Sequence, residues 1–63
     1  MKFREFIDLY DNWNGIVVVN DDDLNPIVKE KIMYLMPTCS SDILNMEVVS
    51  FGFFDNELCV RVK

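Results

Sequence analysis

The sequence has no histidine. That removes the usual general base at neutral pH, the usual activator of a serine or cysteine nucleophile and the commonest metal ligand together. Glycine occurs only at Gly15 and Gly52, too sparsely for a loop that cradles phosphate. The two cysteines, Cys39 and Cys59, have no metal-ligand spacing and read as reduced thiols. Cys59 falls inside a strand pattern, where packing is its natural role. Basic residues are scarce: six Lys and Arg stand against eleven Asp and Glu, for a net charge of −5. Direct DNA binding is disfavoured, since phosphate contacts supply most non-specific affinity; a protein partner with a basic surface fits better. No run approaches the roughly 18 apolar residues that a membrane span needs. The opening Met-Lys-Phe-Arg-Glu-Phe becomes charged too early for a signal peptide. The expectation is a cytoplasmic protein that is not an enzyme, needs no cofactor and does not meet a membrane.

What is present is apolar. Residues of that class make up 51% of the 63, too many for a disordered tail. A chain this short buries only about 60% of its unfolded surface. More apolar residues than one core face can use predicts self-association, so a homo-oligomer is expected.

The clearest local signal is the closing segment. Glu47 to Phe54, Asp55-Asn56 and Glu57 to Lys63 read as a hairpin with a two-residue turn. That register sets Phe53 against Leu58, Phe51 against Val60 and Val49 against Val62 on one apolar face. The other face is mixed: Phe54 with Glu57, Gly52 with Cys59, Ser50 with Arg61 and Val48 with Lys63. Phe3, Phe6, Ile7 and Tyr10 follow helical spacing, and Asp11 to Gly15 end that helix. Ile16 to Val19 is an unbroken β-branched run, as in an inner strand buried on both faces. Residues 27–36 read either way. Asn25 and Pro26 would start a helix, whereas a strand puts Val28, Ile32, Tyr34 and Met36 on one face with Glu30 misplaced. The strand is preferred for Lys31 to Met36, because Ile16 to Val19 needs a partner. Pro37 stops that element, and Ser40 or Ser41 caps one helical turn through Leu44. The expected fold is α+β in a single domain, 1–63: a small antiparallel four-stranded sheet against an N-terminal helix, with a short helical turn before the C-terminal hairpin.

Candidate sites are few. Asp21, Asp22 and Asp23 invite a metal reading, with Asp21 and Asp23 as weak ligands, but no calcium-loop glycine or glutamate accompanies them. The plain reading is a solvated turn; the alternative is an acidic contact for a partner, joined by Trp13 if its indole is exposed rather than a lid on the core. Lys29, Lys31, Arg61 and Lys63 are the basic residues beyond the first helix and the candidates for nucleic-acid contact; charge guarding an edge strand is the plainer account. Val48, Phe54 and Cys59 are too apolar for plain solvent and are the candidates for self-association.

Two stretches carry a resemblance: Arg4-Glu5-Phe6-Ile7 with Leu9, and Glu47-Val48-Val49-Ser50 with Leu58, Val60 and Val62. The layout resembles very small anti-CRISPR proteins of gut bacteria and their phages that act on type II effectors. One such group has a sheet like that of the single-strand-binding coactivator positive cofactor four, and self-associates. The resemblance implies a mobile-element inhibitor of a host defence nuclease, with a CRISPR effector as partner. A strand binder of the coactivator kind would be basic, so at −5 inhibition by protein contact is the expected form. A DNA-associated oligomeric module and a self-associating regulatory protein are the alternatives.

Overall fold

The helical stripe at the N-terminus forms as its spacing predicts. In the computed structural model, which describes residues 1–63, helix α1 spans Phe3–Asp8, with Phe3 and Ile7 buried and Phe6 half-buried; Tyr10, half-buried as well, lies just past its end. The Glu5 carboxylate reaches back to accept from the Lys2 N–H at 2.9 Å, which satisfies one of the donors a helix start leaves open. Strands β1 (Ile16–Asn20) and β2 (Pro26–Lys31) make one hairpin, and β3 (Val48–Phe54) and β4 (Glu57–Val62) make the other. Helices α2 (Ile32–Thr38) and α3 (Ser41–Leu44) join them.

The sheet order is β2-β1-β4-β3. The two hairpins lie side by side with β1 and β4 in the middle, and those two strands run parallel, Val17 beside Leu58 and Val19 beside Val60. The α+β class and four-stranded sheet are as expected from sequence, but the sheet is mixed rather than antiparallel throughout. Each hairpin is locally antiparallel; the chain between β2 and β3 is long enough to return the second pair in the same direction as the first.

The core comes from one face of the sheet. Val17, Val19, Leu58, Val60 and Val62 pack against Phe3, Ile7, Ile32, Leu35 and Leu44. The inner strand therefore alternates: Val17 and Val19 are buried while Ile16 and Val18 are only half-buried on the open face. The continuous apolar run is not covered on both sides, because every helix supplies its core residues to one side.

Residues 27–36 are strand first and helix second: β2 ends at Lys31, and the stretch to Met36, expected as strand, is helical. Pro26 opens β2 rather than a helix, a position where its missing N–H costs no ladder bond. The strand passes directly into α2 because the first free donors of that helix find acceptors in the loop before β1. Ile32 N–H donates to the Gly15 carbonyl at 2.9 Å and Met33 N–H to that of Trp13 at 3.0 Å. Pro37 sits in the last turn of α2 instead of before it. Ser40 caps α3, its Oγ accepting from Ile43 N–H at 3.4 Å.

The closing hairpin keeps the expected register from Phe54–Glu57 to Ser50–Arg61, and then slips. Val48, not Val49, stands opposite Val62, and Glu47 exchanges both backbone bonds with Lys63 at 2.9 Å. One extra residue in β3 is a β-bulge. It turns Val48 toward the core, half-buried, and leaves Val49 exposed. Val48, expected on the mixed face with Lys63, thus belongs to the core side.

Candidate interaction surface

The apolar face of the hairpin is divided between its two strands. Leu58, Val60 and Val62 on β4 are buried, yet Phe51 and Phe53, directly beside them on β3, are 62% and 64% exposed. Element length explains the split. α1 has six residues, about 9 Å of helix; the seven residues of β3 run to roughly 23 Å. One short helix cannot roof both β4 and β3. It reaches the edge through one ring, Phe6 against Phe51 at 4.8 Å, and Tyr10, two residues past its end, adds a second against Phe53 at 6.2 Å between centroids. Between them lies a shallow groove of about 140 Å³ lined by Phe6, Leu9, Tyr10, Phe51, Phe53 and Leu58. Small-molecule sites run to about 300–1,000 Å³, so this is a contact ledge rather than a ligand cavity.

Backbone geometry adds to it. Asp55 and Asn56 both have positive φ, 51° and 63°, the conformation of a tight two-residue hairpin turn. In such a turn the flanking pair, Phe54 and Glu57, is hydrogen-bonded, and bonded and non-bonded pairs alternate from there. Gly52 and Ser50 therefore point their backbone groups at β4, while those of Phe51 and Phe53 point away from the sheet. Farther along, the edge is occupied: Val48 N–H donates to the Met1 carbonyl at 2.8 Å, and Phe3 N–H to that of Met46 at 2.8 Å. None of these contacts reaches Phe51 or Phe53.

The acidic loop is ordered by one of its own members. The Asp21 carboxylate accepts from Asp23 N–H and Asn25 N–H, each at 2.9 Å, a side-chain-closed turn. Asp22 lies 4.0 Å from Arg61 Nε, and Asp23 is exposed. No three acidic or thiol side chains converge as a metal site would need. Trp13 is exposed at 61%, so it is no lid; its carbonyl caps α2 while its indole faces solvent.

The open face of the sheet gathers Lys29, Lys31, Arg61, Phe54 and Cys59, as strand alternation and the observed pairing require. Two of the cations there have acidic neighbours: Lys29 pairs with Glu57 at 3.0 Å and Arg61 faces Asp22. Lys63 lies past the end of β4. The candidates for self-association separate, with Phe54 and Cys59 on this face and Val48 on the other. Desolvation pushes the Cys39 thiol up from its ordinary value, which lowers its thiolate fraction and makes it a poor nucleophile.

Sequence reasoning missed Phe51, Phe53 and Leu9 as surface. The signal was available: a hairpin face six residues long set against a helix of about two turns leaves rings over. No helix is long and apolar enough to cross a membrane. No protein-family model, no curated protein and no solved structure matches the chain.

Proposed function

We propose that this is a non-enzymatic binding protein that acts by protein contact, with the β3 edge and its aromatic ledge as the working surface. One observation carries the reading. A seven-residue edge strand without a charged residue presents unpaired backbone groups beside exposed Phe51, Phe53 and Leu9. Edge strands with a neighbouring apolar groove are a recurring protein-recognition surface, and contiguous exposed apolar patches mark interaction sites. The absence of histidine and the shallow groove weigh against catalysis.

The resemblance to anti-CRISPR proteins would make the partner a defence nuclease, and the net charge of −5 supports a basic surface on it. In that form Asp22 and Asp23 supply the complementary charge and Asp21 shapes the loop.

A photo-cross-linking phenylalanine placed at position 53, with position 24 as control, tests the contact. Leu24 and Phe53 are equally exposed, at 64%, but only Phe53 lies on the ledge. Cross-linked protein adducts in cells from position 53 and not from 24 are expected. Equal yields, or none from 53, would overturn the reading.

A further inference from the structure

We infer that the ledge is occupied by a second copy of this chain, paired antiparallel through β3 about a two-fold axis at Gly52, which makes one continuous sheet. The inference rests on the reading of β3 as the working surface and names what sits there.

The register follows from the backbone. The outward-pointing groups belong to Phe51 and Phe53, so an antiparallel partner sets outward residue against outward residue, and the register that uses both puts Phe51 opposite the second copy's Phe53, and the reverse. That is a hydrogen-bonded pair on both sides of the axis, which leaves Gly52 opposite Gly52 as the close, non-bonded pair. A Cβ at Gly52 would meet nothing within 4 Å in the single chain. Its missing side chain has no use inside the monomer, whereas across the axis it permits close approach. The same register sets Ser50 opposite Phe54, where the ladder ends at the turn on one chain and at the bulge on the other. No charge meets a like charge, although each chain carries −5. A shift of two residues in either direction takes Phe51 or Phe53 out of its pairing.

The faces agree as well. A two-fold axis perpendicular to the sheet keeps both α1 helices on one side, so both pairs of rings line the floor of a trough between them. At about 200 Å² per aromatic side chain, the exposed shares of Phe51 and Phe53 supply about 250 Å². Leu9, Phe54 and the edge backbone raise this to roughly 500 Å² per copy, or about 1,000 Å² for the pair, the size at which specific interfaces begin. The pair is therefore modest in affinity and dependent on concentration.

Light scattering and amide exchange on the full chain from about 1 μM to about 1 mM, a span that brackets modest affinities, measure the pairing. The expected result is a monomer at the low end and a dimer at the high end, with the Phe51 and Phe53 amides gaining protection as the dimer forms. A synthetic chain N-methylated at Phe53 keeps every side chain and every internal bond but loses outward donors, and should dimerise about tenfold more weakly. Phe53→Lys should do the same by placing charge on the edge. A monomer at every concentration overturns the inference, as does a dimer whose Phe51 and Phe53 amides exchange freely. A strictly monomeric chain that still cross-links other proteins from position 53 would sink the second copy and leave the contact surface standing; loss of both would sink both.

Discussion

The β2 edge of the sheet carries Pro26, Lys29, Glu30 and Lys31, whereas the β3 edge carries two valines, a serine, a glycine and three phenylalanines between Glu47 and Asp55. Natural edge strands avoid adding neighbours by means of proline and inward or flanking charge, lysine above all. β2 uses these devices. β3 uses only a bulge at Val49, and the Met1 contact covers the same end; the stretch from Ser50 to Phe54 is left bare. In a chain with six basic residues, two lysines sit on the guarded strand and none on the other. The difference teaches that exposure at β3 is specific to one edge and does not reflect a general shortage of polar residues.

The largest expected effect separates the bare edge from the strand behind it. Leu58 and Phe53 are cross-strand neighbours on one face, but Leu58 is 1% exposed and Phe53 64%. Leu58→Ala should cost about 2–4 kcal/mol, through lost transfer energy and a cavity. Phe53→Ala should cost under about 1 kcal/mol in the monomer, since a ring this exposed gives up only partial contacts with Tyr10 and Leu58. Urea unfolding at low micromolar concentration measures both. Equal costs would mean that Phe53 belongs to the core and that β3 is not a bare edge.

Stripping the guards from β2 is the next perturbation. Lys29→Val with Lys31→Thr removes the Lys29–Glu57 ion pair, an exposed contact worth about 0–1 kcal/mol, so the fold should survive. If copies pair through β3, a β2 edge that keeps Pro26 and Glu30 but has lost both lysines should let association run past a pair to larger species. Light scattering is the measurement. A variant with the same mass as the parent chain at every concentration would show that charge on β2 does not limit its pairing.

How much of this was legible in the sequence differs element by element. The closing hairpin was readable because period-two alternation and a two-residue turn each fix the same register. The reading failed only where the bulge adds a residue, which no alternation reveals. α1 was readable from its stripe. The order of strand and helix over Pro26 to Thr38 was not, because Asn25-Pro26 is an equally good start for either, and the carbonyls of Trp13 and Gly15 that cap α2 come from a distant loop. The parallel pairing of β1 with β4 is tertiary and leaves no local trace. The exposed surface was half legible: the apolar surplus exceeds what one small core can bury, but which strand is left uncovered depends on the length of α1 against that of β3. The acidic loop was placed correctly as a turn, while the closure of that turn by Asp21 needed the structure.

The smallest effect concerns the turns that feed the two edges. Leu24, just before β2, has φ 66°, a left-handed conformation that costs a non-glycine residue about 1–2 kcal/mol. Asp55 and Asn56, just after β3, also have positive φ, but Asp and Asn tolerate it far better. Leu24 is 64% exposed, so its side chain supplies little packing to offset the strain. Leu24→Gly should therefore stabilise by about 0.5–1 kcal/mol, the relief of strain less the greater freedom glycine has when unfolded. Leu24→Ala keeps the strained backbone and should change little, and Asn56→Gly should gain less than Leu24→Gly. The urea midpoint should rise for Leu24→Gly with its slope unchanged. A fall would give the Leu24 side chain a stabilising contact of its own. The guarded edge would then be held by its loop as well as by its charges, and the contrast with β3 would rest on packing in addition to sequence.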